Sequence, residues 1–264
     1  MPEEGNDQMK FPVLFAFCTL FAGVFSAHAQ QATVQFSADT VESAQQGESR
    51  TGRLYVGPDQ VRTEMDMDGQ TMIQIIDLKA QEALMINPQQ RSYMRRRAGQ
   101  GEKMNVGPQE EESPCAGMQN ITCKQLGKEV INGRPAQKWE FVATTQGQSS
   151  AMLFWLDEQR HIPIRQMMPD GSSMEMRMLG KETVNGRSTE KWELTAKGPE
   201  GNSMVSYQWY DPEINMNIRE EVAGGYTRDI RNIKVGPQPK ALFTVPDGYD
   251  EINLPQGEGS GQYR

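Results

Sequence analysis

From Val34 onward the chain alternates apolar and polar residues in short runs, and almost nowhere does a helical period persist for ten residues. A period of two gives each run one apolar face, so the chain has to fold as half-buried strands. Strands are expected over 34–43, 49–56, 60–67, 71–77, 82–86 and 92–95. The punctuation is Gly57-Pro58-Asp59, Asp68-Gly69 and Asn87-Pro88, each supplying a positive or a fixed φ for a tight reversal. Such reversals imply antiparallel neighbours, and the expected class is all-β with few helices.

The second half repeats itself. Gly127-Lys128-Glu129-Val130-Ile131-Asn132-Gly133-Arg134 leads to Lys138-Trp139-Glu140. The matching Gly180-Lys181-Glu182-Thr183-Val184-Asn185-Gly186-Arg187 leads to Lys191-Trp192-Glu193, 53 residues later. A second matched piece follows each copy: Trp155-Leu156-Asp157 through Ile164-Arg165, and Trp209-Tyr210-Asp211 through Ile218-Arg219, here 54 residues apart. Asn-Gly favours the type I′ turn whose twist matches flanking strands, so each unit reads as two successive hairpins. Two units are too few for a solenoid and point to one enlarged antiparallel sheet. The organisation expected is an export signal over 1–29, an amino-terminal meander over 30–97 and a flexible polar loop over 98–119. A first hairpin repeat over 120–179, a second in the same sheet over 180–252 and a disordered tail over 253–264 complete it.

The amino terminus reads as a cleavable secretory signal. Lys10 precedes an apolar run from Phe11 to Phe25, and Ala27 and Ala29 occupy the small-residue positions that processing needs, so cleavage is expected after Ala29. The acidic, polar residues 1–8 do not suit such a signal, which makes Met9 a candidate start. A run of about 15 residues spans roughly 22 Å as a helix, short of a bilayer core of about 30 Å, which disfavours an uncleaved anchor. Phe17 before Cys18 does not fit a lipoprotein signal. The expected location is the periplasm. There, the two cysteines left after cleavage, Cys115 and Cys123, read as a disulfide, since a metal or redox pair wants C-x-x-C spacing or further ligands.

A net charge of −8 repels phosphate backbones, so nucleic acid is not an expected partner. The short basic cluster Arg95, Arg96 and Arg97 reads as a solvated strand end. Catalysis is not expected either, and no cofactor is implied. The processed chain keeps a single histidine, His161, and carries no Gly-x-Ser-x-Gly elbow, phosphate loop or zinc helix.

Methionine is the unusual residue, with 17 in the chain. Met65 and Met67, and then Met174, Met176 and Met178, recur with period two, which puts each set on one face of its strand. Flexible, polarisable methionines can repack around varied apolar partners, and they can equally fill an irregular core. Soft thioethers also select Cu(I). Same-face neighbours along a strand lie about 7 Å apart, wider than two sulfurs on one metal prefer, so no metal site is expected. The tryptophans at 139, 155, 192 and 209 read as core, or as the lining of an apolar pocket.

The twin Gly-Lys-Glu phrases with their Lys-Trp, the paired Trp-x-Asp and Ile-x-Arg strands, and the closing Leu242-Phe243-Thr244-Val245-Pro246-Asp247-Gly248-Tyr249 together resemble the DUF4412 group of envelope proteins. Gly52-Arg53-Leu54-Tyr55-Val56 before Arg62-Thr63-Glu64-Met65 extends the match. That group is similar to the LolA-like and LolB-like lipoprotein-carrier fold. The resemblance implies a strongly curved antiparallel sheet, an open half-barrel whose concave face shelters apolar groups. Carriers of that kind close the concave face with helices, and no strong amphipathic helix is readable here. The expectation is a non-enzymatic periplasmic carrier for a lipid or a lipoprotein acyl chain, using Met174, Met176, Met178, Trp155 and Trp209. The alternative is a structural or interaction module whose hairpins pair with an envelope protein and carry no small molecule.

Overall fold

Each alternating run becomes a strand. The computed structural model describes residues 34–44, 49–67, 69–98, 114–115, 120–145 and 147–252. The expected export signal, most of the polar loop and the tail lie outside the described residues. The amino-terminal strands are β1 (Phe36–Ser43), β2 (Ser49–Val56), β3 (Gln60–Met67), β4 (Gln70–Asp77), β5 (Glu82–Asn87) and β6 (Ser92–Arg97). There follow β7 (Ile121–Ile131), β8 (Arg134–Thr145), β9 (Gln148–Asp157), β10 (Pro163–Met167), β11 (Ser173–Val184), β12 (Arg187–Lys197), β13 (Ser203–Asp211), β14 (Met216–Val222), β15 (Tyr226–Val235) and the short β16 (Asp250–Glu251). The one helical element among the described residues is a 3-10 turn at Lys240–Phe243.

All sixteen strands form a single curved, open sheet in the order β16-β6-β5-β4-β3-β2-β1-β15-β14-β13-β12-β11-β10-β9-β8-β7. Every neighbouring pair is antiparallel except β16, which runs parallel to β6. The meander and the repeats are welded where β1 pairs with β15, from Phe36 opposite Val235 to Ser43 opposite Thr227. Register shifts at Gln125/Gly127, Pro163/Arg165, Met178/Gly180 and Trp209/Tyr210 mark bulges, which bend a strand and steepen its twist. Cys115 and Cys123 are joined by a disulfide, their Cα atoms 6.0 Å apart, at the start of the edge strand β7.

The two copies of the sequence motif make the same contacts. Both Asn-Gly turns have positive φ at both positions, 50° and 79° at Asn132-Gly133 and 51° and 78° at Asn185-Gly186, as a type I′ turn requires. Trp155 Nε1 donates to Glu129 at 2.7 Å, and Trp209 Nε1 donates to Glu182 at the same distance. Lys138 and Lys191 each lie 4.8 Å from the corresponding indole ring. Arg134 pairs with the buried Asp157, and Arg187 pairs with the buried Asp211.

Each hairpin tip reaches past the neighbouring short strand to the next long one. The β10 and β11 pairing ends at Arg165 opposite Glu175, and the next carbonyl, on Met176, accepts from Asn132 Nδ2 at 3.1 Å. The β14 and β15 pairing ends at Arg219 opposite Asp229, and the next carbonyl, on Ile230, accepts from Asn185 Nδ2 at 3.0 Å. These docked tips seal two buried clusters. Ile131, Trp155, Ile164 and Met176 belong to one, and their counterparts Val184, Trp209, Ile218 and Ile230 belong to the other. A third cluster lies where Leu242, Phe243, Val245 and Tyr249 pack on Ile73, Ile75, Leu84 and Ile86 of β4 and β5, with Arg62 Nη1 donating to the Leu242 carbonyl at 2.8 Å. The closing Leu242 to Tyr249 motif is therefore a cover for the amino-terminal meander.

One difference between the copies has a measurable consequence. Asn132 Nδ2 also donates to Glu175 Oε1 at 2.9 Å, whereas Asp229, which occupies the matching place, is one methylene shorter and its buried Oδ1 has no hydrogen-bond partner. Asp229→Glu is expected to recover that bond with Asn185 and to raise the stability by about 0.5–1.5 kcal/mol, measured as a shift of the urea midpoint.

Candidate functional site: a methionine-lined sheet face

Following the register from strand to strand sorts the side chains onto two faces. Met174, Met176 and Met178 stand opposite Ala196, Leu194 and Trp192 on one of them. Through Gln166 this face continues to Phe154 on β9, and from there to Trp139 on β8, while Met152 stands opposite Phe141. In the other direction Ala196 stands opposite Met204. Phe141 and Phe154 are in ring contact, with centroids 4.5 Å apart. The result is an apolar patch across β8 to β13, interrupted by Gln166 on β10. Met152, Phe154, Met178, Leu194 and Met204 are half-buried although no helix among the described residues lies over them.

The same face carries a second patch in the meander. By register Met65 stands opposite Met72, and Met85 opposite Met94. The reverse face of these strands is closed by the Leu242 to Tyr249 cover, so this side is the free one. Met65 and Met85 are 39% and 44% exposed. Between the two patches runs a ladder of alternating charge, Arg50 opposite Glu42, Glu42 opposite Arg228, and Arg228 opposite Glu220. Arg228 and Glu220 are 3.2 Å apart.

The opposite face of the carboxy-terminal half is ionic. Trp155 stands between Lys138 and Arg165, and Trp209 between Lys191 and Arg219. The Lys138 ammonium and the Trp155 indole hold the Glu129 carboxyl below the usual range, and the Trp209 indole and Lys191 do the same for Glu182. Register therefore places Trp155 and Trp209 on the face away from the methionine row. The coiling of the sheet nonetheless brings Trp155 into one buried cluster with Met174 and Met176, with Met178 packed against it, while Trp209 joins the other cluster. The side chain of Met67 lies outside the described residues.

Sequence reading missed Met72, Met85 and Met94. The signal that could have found them is the pair of turns Asp68-Gly69 and Asn87-Pro88, which fix the register that sets these methionines across from one another. Among the described residues no group of three or more His, Cys, Asp or Glu is placed to hold a metal ion, and no helix is long and apolar enough to cross a membrane.

Solved structures similar to this chain include a LolA superfamily protein from Nitrosomonas europaea, 11% identical, covering 82% of this chain and 92% of that one with a TM-score of 0.35. An uncharacterized conserved protein from Thermus thermophilus is 11% identical over 83% and 90% of the two chains, with a TM-score of 0.31. A DUF1329 family protein from Desulfovibrio piger is 11% identical over 82% and 91%, with a TM-score of 0.30. No curated protein matches the chain. Over residues 39–161 the chain matches the family model described as Domain of unknown function (DUF4412).

Proposed function

We propose that this is a non-enzymatic binding protein of the cell envelope that shelters an apolar guest, a lipid or the acyl chain of a lipoprotein, on the concave face of its sheet. The observation that carries the reading is the apolar patch across β8 to β13. Met152, Phe154, Met178, Leu194 and Met204 form a half-sheltered floor, with Met174 and Met176 more deeply buried beside it. Half-exposed apolar residues on a strand face over which no helix lies among the described residues call for a partner. Trp155 and Trp209 stiffen the scaffold under that floor through their ion-pair ladders.

The test is titration with a fluorescent long-chain polyene fatty acid. Saturable binding is expected, with Met152→Glu and Met204→Glu each weakening it at least tenfold, about 1.4 kcal/mol. The control Arg177→Glu, on the ionic face, leaves the affinity unchanged. Absence of saturable binding, or equal affinity in all variants, contradicts the reading. Export is part of the proposal, and the exported protein is expected to begin at Gln30 by amino-terminal sequencing.

The edge strand β7 favours a second reading. Among the described residues it pairs only with β8, and residues 124–130 are exposed along it. An unpaired edge can accept a strand from another protein, so an envelope partner could add there.

A further inference from the structure

Charge is segregated between the two faces of the meander. Strands β3 to β6 carry the carboxylates Glu64, Asp66, Asp77 and Glu82, and the register sets all four on the face that the Leu242 to Tyr249 segment covers. The free face presents Met65, Met72, Met85 and Met94, with Ile76 opposite Ala83 beside them and the neutral Thr63 and Gln74 between. Its one charge among the described residues is Arg96, opposite Ala83. Arg95 and Arg97, which the register turns to the covered face, both pair with Glu82, whereas Arg96 is exposed and has no ion pair among the described residues. In a chain of net charge −8, an apolar face without a carboxylate that ends on one uncompensated cation stands apart.

The face has the size of one helix. From Met65 on β3 to Arg96 on β6 the sheet steps across three strand spacings, about 14 Å, and the register runs four residues along, about 13 Å, so the diagonal is about 19 Å. An α-helix of about 13 residues is as long, and its width of about 10 Å covers the methionines. Met65 and Met85, 39% and 44% exposed, stand further out than the half-buried floor across β8 to β13. A single acyl chain laid on them keeps its outer side in water, whereas ligand sites enclose most of a small guest. An amphipathic helix is apolar along one stripe and polar elsewhere, so an open, one-sided patch suits it. Flexible methionines repack around the side chains of such a stripe.

We propose that the free face of β3 to β6 docks an amphipathic helix of a protein partner, its apolar stripe on Met65, Met72, Met85 and Met94 and an acidic flank against Arg96. The surface is separate from the patch across β8 to β13, from which the Arg50 to Glu220 ladder divides it. It is also separate from the edge of β7, since it uses side chains on a face and no open backbone.

The probe is a synthetic peptide of about 18 residues with leucines at i, i+3, i+4 and i+7 spacing and two glutamates flanking the stripe. In protein labelled at its methionine methyl carbons, the peptide is expected to bind saturably and to shift Met65, Met72, Met85 and Met94 while Met152 and Met204 stay in place. Met65→Glu and Met85→Glu, both at exposed positions, each weaken binding at least tenfold. Arg96→Glu weakens the same peptide and strengthens one that carries lysines in place of the glutamates. No saturable binding, equal binding of a scrambled peptide of the same composition, or shifts confined to Met152 and Met204 would overturn the proposal. So would shifts of the meander methionines on adding fatty acid or anionic phospholipid vesicles, which would make the face a lipid site, or a dimer of this chain that Met85→Glu abolishes. The fatty-acid titration is read through Met152→Glu and Met204→Glu, so either reading can fail without the other.

Discussion

Asp157→Ala is expected to destabilise the fold by about 3–5 kcal/mol, the cost of leaving a half-buried guanidinium without its partner. Asp157 is fully buried. It accepts two bonds from Arg134, and its Oδ1 also accepts the backbone N–H groups of Gln159 and Arg160 at 3.0 and 2.9 Å. Removing it frees the β9 to β10 turn and the tip of the β7 to β8 hairpin together. Burial alone would raise the Asp157 pKa, but the Arg134 pairing and the two backbone donors outweigh it and hold the carboxyl below its usual value. Glu82 is lowered in the same way: burial opposes, and Arg95 and Arg97 prevail. A depressed folded-state pKa gives stability that is present above the unfolded value, near 4, and is lost as pH falls through the folded value. The urea midpoint is therefore expected to hold from neutrality to about pH 5 and then to drop. In Asp157→Ala, that acid limb becomes shallower. A midpoint within error of the parent at neutral pH would show that the pair is dispensable.

Trp192→Ala is the second large loss, again about 3–5 kcal/mol, from the buried area and the cavity left behind. Trp192 is 1% exposed, in the cluster where the first hairpin tip meets β11 and β12. The guanidinium carbons of Arg134 and Arg160 sit 5.1 and 4.9 Å from its ring centroid, and Arg160 is in turn paired with Glu190. Truncating the indole thus strips the packing from the half-buried Arg134 and the buried Arg160 as well as from Met176. Trp139, its sequence counterpart, is only half-buried, so Trp139→Ala is expected to cost less. Equal losses in the two variants, measured by urea unfolding, would contradict the asymmetry of the packing.

The strands were legible because a period of two survives in almost every run. The expected 49–56 and 60–67 coincide with β2 and β3, and the other expected meander strands differ from the observed ones by no more than two residues at either end. Asn132-Gly133 and Asn185-Gly186 announced their turns for a local reason, the ease of positive φ at Asn and Gly. The cysteine pair was readable by elimination. The weld of β1 to β15 was not readable, because pairing between segments almost two hundred residues apart leaves no local pattern. Nor could the sequence say which methionine row stays open. Met174 and Met176 alternate exactly as Met65 does toward Met67. What buries them is Ile131 and Trp155, delivered from the preceding hairpin by bulges and by the Asn132 bond to Met176. Trp155 and Trp209 look like pocket linings in sequence. Their one-residue offset from Phe154 and Gln208 nevertheless turns them to the ionic face.

The central claim is that the patch across β8 to β13 receives an apolar guest. Methionine-methyl NMR during titration with a lysophospholipid kept below its micelle concentration tests it most directly. The account predicts saturable shifts at Met152, Met178 and Met204, with Met167, on the ionic face, unmoved. Resonances that stay fixed throughout, or shifts at Met167 as large as those at Met204, would contradict it.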